Sequence, residues 1–138
     1  MTGLDTNILA RYYIQDASDD EAVKQHKLAK KIIESGKPLM ICVTVILEFE
    51  WIMRGYYRFN TQEISSVFKH LFSLTHVTIE NKSIVNKALT NYFNGFDFAD
   101  SLHHASYETC DQVVSFDDKK FSRRSKRFGL MPPVVVPK

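Results

Sequence analysis

Cysteine is scarce in this chain: two among 138 residues, Cys42 and Cys110. At most one bridge is available, which excludes a disulfide scaffold, and nothing else looks secreted, so a reducing compartment is expected. Cys42 sits in an apolar run, where a free thiol behaves as a small hydrophobe. Long apolar runs are missing too. The longest, Leu39 to Leu47 interrupted only by Thr44, is about half the length a spanning helix needs. The opening Met1-Thr2-Gly3-Leu4-Asp5 has neither the basic region nor the apolar stretch of a signal peptide. A soluble, cytoplasmic protein is therefore expected. Five glycines and four prolines leave no low-complexity or collagen-like tract. With no repeat and no long linker, residues 1–138 are expected to form a single domain.

What the chain does have is a core. Hydrophobic residues make up 44% and include ten Phe, six Tyr and one Trp. A chain of this length buries roughly 70% of the surface exposed when unfolded. The net charge of +2 conceals an asymmetry. From Lys119 to Lys138 there are seven basic residues and no acid, whereas the preceding 118 residues carry 11 basic against 16 acidic groups. A basic end on an acidic body suits a polyanion that must approach carboxylates holding a metal; it is equally the pattern of a solvated helix face.

Strand and helix signals alternate. Short strands are expected at Thr2 to Asp5 (buried), Leu39 to Val43, His76 to Ile79, Gln112 to Phe116 and Val134 to Val136. Helices are expected at Asn7 to Ile14, Asp19 to Ser35, Thr44 to Arg54, Thr61 to Leu74, Asn81 to Asn94, Asp97 to Cys110 and Asp118 to Phe128. Val23, Leu28 and Ile32 mark the apolar positions of the second, which has Asp19 or Asp20 as its cap and a Gly36-Lys37-Pro38 stop; the third is expected to end near Gly55, and Thr61 is the expected cap of the Thr61 to Leu74 helix. The alternation predicts an α/β fold with a parallel sheet covered on both faces. In such sheets ligands bind beyond the carboxyl ends of the strands.

Acids fall at those ends. Asp5 follows the first strand and Asp117 the fourth, although each serves equally as a helix N-cap, with Asp118 beside it. On the Thr44 helix, Glu48 shares a face with Val45, Trp51 and Ile52, so it is expected among apolar groups, compensated by a buried Arg or by a cation. Glu50 instead faces Arg54 four residues on, as in an exposed ion pair. Asp97 and Asp100 stand three apart, as cap and third helical position or as paired carboxylates. His103 and His104 are adjacent, with no further His at ligand spacing, so zinc is not expected. An all-oxygen donor set favours Mg²⁺ or Mn²⁺, which relieves carboxylate repulsion and activates water against a phosphate.

These residues resemble the PIN-domain ribonucleases, in particular the VapC-like toxins of type II toxin–antitoxin pairs. Leu4-Asp5-Thr6-Asn7 looks like the first acidic motif, with Thr6 and Asn7 supporting Asp5. Val45 to Arg54 resembles the second, with Glu48 its acid; Phe96-Asp97-Phe98-Ala99-Asp100-Ser101-Leu102 resembles the third, with Asp100 essential and Asp97 accessory. Ser115-Phe116-Asp117 resembles the fourth, although Asp118 doubles the acid where the family has one. The resemblance implies a three-layer α/β/α sandwich around a central parallel sheet. It further implies a dimer and a cognate antitoxin that covers the acidic residues.

The expected function is thus a Mg²⁺-dependent endoribonuclease, with Mn²⁺ able to substitute, that hydrolyses phosphodiester bonds in structured RNA as a toxin. Asp5, Glu48, Asp100 and Asp117 would hold the metal, and Arg123, Arg124, Lys126 and Arg127 the RNA backbone. A haloacid-dehalogenase-like phosphatase is the enzyme alternative, but it needs a second Asp where Asn7 stands. A non-catalytic nucleic-acid-binding module using the basic helix alone would leave Glu48 among apolar groups unexplained.

Overall fold

The computed structural model describes residues 1–138, whose contacts gather into two compact units, Met1–Lys82 and Ser83–Lys138. The first holds β1 (Thr2–Gly3), α1 (Thr6–Tyr13), α2 (Asp20–Ile33), β2 (Leu39–Ile41), α3 (Val43–Trp51), a π-helical turn (Ile52–Tyr56), α4 (Thr61–Ser73) and β3 (Val77–Ile79). Its three strands pair in parallel in the order β1-β2-β3, with Thr2 opposite Leu39 and Leu39 opposite Val77. Hydrogen bonds from Leu4 N to Met40 O (2.9 Å) and from Glu80 N to Ile41 O (2.9 Å) extend the ladder past the strand ends. The core is Leu9, Ile33, Ile41, Ile46, Phe49, Met53, Ile64 and Leu71, all fully buried.

Mixed α/β architecture and parallel pairing match the sequence, and several details depart from it. Thr2 and Gly3 are exposed rather than buried, because β1 is an edge strand; Leu4 alone goes inside. On α2 the buried stripe is Ala22, Ala29 and Ile33, while Leu28 is 55% exposed and Val23 and Ile32 are also outside. Small alanines let that helix lie close, and packing distance outweighed side-chain bulk. Gly55 does not end the third helix. The chain passes through it in a π-helical turn closed by Tyr57 N to Ile52 O at 3.1 Å. α4 is capped by Asn60, not Thr61: Asn60 Oδ1 accepts from Glu63 N (2.8 Å) and Glu63 Oε1 from Asn60 N (3.0 Å). At the end of α2, Gly36 takes φ +76°, the left-handed geometry that lets the chain turn back toward β2.

The second unit contains the greater part of α5 (Lys82–Phe93), then α6 (Phe98–Ser106), β4 (Val113–Val114), a second π-helical turn (Asp118–Ser122), α7 (Arg123–Arg127) and β5 (Val134–Val135). β4 and β5 form a two-stranded parallel ladder, Val113 opposite Val134. Phe96, Val113, Phe121 and Val134 form a small core, with Leu130 against it. Gly95, at φ +103°, turns the chain from α5 into that core. The second and third segments expected here are shorter than their sequence patterns. α6 stops at Ser106 because residues beyond it are exposed, and β4 stops at Val114, leaving Phe116 85% exposed. His104 is buried, its Nε2 hydrogen-bonded to Pro132 O at 2.7 Å, in keeping with a packed histidine rather than a zinc ligand.

The Asn60 cap carries a stability prediction. Asn60→Ala removes one side of the capping box and should cost about 1 kcal/mol, lowering the melting temperature by roughly 3–5 °C. Thermal unfolding followed by circular dichroism checks it; Thr61→Ala should have little effect.

Candidate functional site

In the first unit, Asp5 and Glu48 line one cleft of about 510 Å³, together with Asn7, Arg11, Gln25, Trp51, Ile52, Tyr56 and Tyr57. Asp5 is placed by the end of β1. It is the N-cap of α1, and its Oδ1 accepts from Thr6 N at 2.8 Å, which leaves Oδ2 toward other partners. The cap and the ligand readings of Asp5 are therefore compatible. Thr6 is buried, and its Oγ1 has no hydrogen-bond partner. Asn7 is exposed on the cleft wall.

Glu48 corrects the sequence reading. It is exposed, and the buried acid is Glu50, 2% accessible and paired with Arg54 (Nε to Oε2, 2.9 Å). The ion pair is the expected one, but it lies inward. The apolar residues of α3 lie on every side of the helix, so its periodicity does not choose a face. The core takes Ile46, Phe49 and Met53, and Glu50 stands four after Ile46 and three before Met53. The face bearing Glu48, Trp51 and Ile52 consequently turns to the cleft. Burial of Glu48 thus supplies no argument for a cation, and the objection it raised to a purely binding module falls with it.

In the second unit, Asp97 caps α6, its Oδ1 accepting from Asp100 N at 3.0 Å. The Asp100 side chain is half-buried and has no hydrogen-bond donor. Burial raises its pKa first, then the charges of Asp97 and Asp117; His103 and Arg124 pull the other way. Asp117 thus belongs to the electrostatic neighbourhood of Asp100. Its Oδ1 accepts from Lys120 N at 3.0 Å, capping the π-helical turn. Asp118 is turned to Arg123 at 3.1 Å, an exposed pair. Between the two adjacent acids, Asp117 is the one coupled to Asp100.

The basic segment is divided in its roles. Arg123 faces Asp118, and Arg124 Nη1 donates to Gly95 O at 3.3 Å. Lys126 and Arg127 are exposed. The helix of the sequence is a π-helical turn followed by the five residues of α7, anchored by buried Phe121 and by Phe128, whose rings stand 6.2 and 6.0 Å from Phe96.

Every acid named is a carboxylate, Asp100 lacks a compensating donor, and oxygen ligands suit Mg²⁺ or Mn²⁺. No three His, Cys, Asp or Glu side chains are grouped to hold a metal ion within either unit. Sequence reasoning did not single out Arg11, Gln25, Tyr56 and Tyr57. Arg11 stands four residues after Asn7 on α1, a helical spacing that was available as a signal; the tyrosines depend on the π-helical turn, which has none. No helix is long and apolar enough to cross a membrane, and both cysteines are free. No protein-family model matches the chain, nor does any curated protein match it.

Asp100 yields a prediction with a definite sign. A carboxyl whose folded pKa is raised costs stability as pH climbs from its unfolded value through its folded one. Wild-type protein without metal should gain stability as pH falls through that window, and Asp100→Asn should flatten the gain while being at least as stable at pH 7. Melting curves between pH 3.5 and 7 test this; a variant much less stable than wild type would make Asp100 a structural residue.

Proposed function

We propose that the chain is a Mg²⁺-dependent endoribonuclease of the PIN type, a VapC-like toxin hydrolysing RNA phosphodiester bonds. The observation that carries this reading is the half-buried, donorless Asp100, held at a raised pKa by burial and by Asp97 and Asp117. A cation beside that carboxylate would offset what burial and the neighbouring charges cost it. Asp5 and Glu48, on a cleft that also presents Arg11, complete the acidic set that the four sequence motifs define. In this reading Asp5, Glu48, Asp100 and Asp117 are the metal-holding acids, with Thr6, Asn7, Asp97 and Asp118 in support. The metal polarises the phosphate and lowers the pKa of a bound water. The chain's own contribution is to orient the carboxylates through their caps. Asp5 and Asp117 each give one oxygen to a backbone N–H, which fixes the direction of the other.

Lys126 and Arg127 hold phosphates of the RNA, since Arg123 and Arg124 already have partners. The same reading includes a cytoplasmic location, a homodimer and a small antitoxin protein that covers the acidic residues. A phosphatase of the haloacid-dehalogenase type has less support, because Asn7 occupies the position of its second Asp.

Two measurements test the reading. Cleavage of RNA should require Mg²⁺ or Mn²⁺ and be poorly supported by Ca²⁺, whose longer, looser coordination aligns water and phosphate less well. Asp5→Asn and Asp100→Asn should each weaken Mg²⁺ binding by calorimetry. Full cleavage in excess chelator, or Mg²⁺ binding that survives both substitutions, defeats the proposal. The basic segment is tested separately. The double variant Lys126→Ala, Arg127→Ala should lower the salt slope of single-strand binding by about 0.7 per lost contact, and saturating RNA should restore most of the rate.

A further inference from the structure

Trp51 is 59% exposed and Tyr56 74% exposed, yet both border the cleft that holds Asp5 and Glu48. Large rings this open contribute little to the core, so their position calls for another account. A π-helical turn follows Trp51, and its bonds run from residue i to i+5. That geometry places Tyr56 one turn above Trp51 and Tyr57 one turn above Ile52, and all four line the cleft. An ordinary α-turn would set Gly55 above Trp51 instead. The indole edge lies against Gly55, where an added Cβ would meet Trp51 Cε2 at 3.7 Å. Tyr56 is steadied edge-on by Tyr57, with ring centroids 4.8 Å apart.

The rest of the cleft is polar. Arg11 Nε donates to Gln25 Oε1 at 2.8 Å, and the terminal guanidinium nitrogens have no hydrogen-bond partner. Asn7 and Gln25 add amide groups, and Asp5 and Glu48 the carboxylates. Open aromatic faces, an available guanidinium and side-chain amides in a space of about 510 Å³ suit one nucleotide: rings for the base, Arg11 for its phosphate. Base stacking on exposed aromatics is available only to an unpaired base, because paired bases are stacked within their own helix.

We propose that Trp51 and Tyr56 form a stacking platform for an unpaired base of the RNA substrate. The backbone beside that base is drawn by Arg11 toward Asp5 and Glu48. This inference rests on the ribonuclease reading and names the residues that hold a base of the substrate.

Trp51 is the only tryptophan, so its emission reports on the platform directly. Full-length Asp100→Asn protein, chosen to stop cleavage without altering this cleft, is titrated in Mg²⁺ with a 12-nucleotide single strand and with the same sequence fully paired. The single strand should quench the indole emission, and the duplex should leave it unchanged. Tyr56→Ala should weaken single-strand binding roughly 5- to 100-fold, and Tyr56→Phe, which keeps the ring, should restore it. Melting temperatures of both variants should equal that of the parent, as expected for an exposed side chain. Single-strand binding without quenching and without dependence on Tyr56 overturns the platform while leaving the nuclease standing. Equal quenching by the duplex overturns the preference for unpaired bases. Emission that changes with protein concentration alone, with altered sedimentation in Tyr56→Ala, assigns the rings to an interface between copies and overturns the proposal. Quenching that depends on Tyr56, in a wild-type protein that cleaves no RNA with Mg²⁺, keeps the platform and removes the nuclease reading.

Discussion

The rotation of α3 about its own axis is the constraint on which the first unit's chemistry depends. Apolar residues lie on every side of that helix, so several faces could have packed inward. Burial of Ile46, Phe49 and Met53 settles the choice, with Phe49 stacked edge-on against Phe68 at 6.0 Å. A stripe of one aromatic and two long aliphatic side chains is worth several kcal/mol of transfer free energy. That exceeds the modest penalty of leaving Trp51 half in water. The same rotation carries Glu50 inward, where it requires a charged partner, and Arg54 is one turn away. Glu48 and Trp51 then share the cleft without any further instruction.

Several acids in this chain do two things at once. Asp5, Asp97 and Asp117 each accept a backbone N–H at the start of a helical segment, using a single oxygen. Capping fixes χ1 and leaves the second oxygen in a set direction at little entropic cost, which is what a ligand for a small cation requires. A helix N-terminus also lends partial positive charge, which offsets some of the repulsion among neighbouring carboxylates. Asp100 differs: no donor meets its side chain, and burial, then the charges of Asp97 and Asp117, raise its pKa.

Much of the fold was readable from periodicity and turn chemistry. Alternating strand and helix signals, the Gly36 stop, the Asp19 and Asp97 caps and the parallel pairing all follow local rules. What was not readable depended on packing against distant elements. The choice between Glu48 and Glu50 is decided by the core that α3 meets, and the exposure of Leu28 by alanines that bring α2 close. The π-helical turns were hidden for another reason. Neither Gly55 nor the Asp117-Asp118 pair distinguishes an i+5 bond from an i+4 bond, so Tyr56 and Tyr57 could not be placed beside Asp5 from sequence. The candidate acids were easier to find, because carboxylates at strand and helix ends announce themselves by position; their surroundings did not.

Charge is divided along the chain, and on the ribonuclease reading attraction and repulsion would act on different parts of the RNA. The chain before Lys119 carries a net excess of acid, and the segment after it is wholly basic. An RNA strand reaching uncompensated carboxylates would be repelled at about the Debye length, roughly 8 Å in physiological salt. A divalent cation reverses the sign only close to those acids. Capture at a distance must come from elsewhere, and the exposed Lys126 and Arg127 lie on a short helix held by Phe121, which fixes where the positive charge sits. Stacking supplies what neither charge can: it is insensitive to salt, acts on the base rather than the phosphate, and discriminates unpaired from paired strands. A nuclease built on these residues would bind by electrostatics, select by aromatic contact and react at its carboxylates.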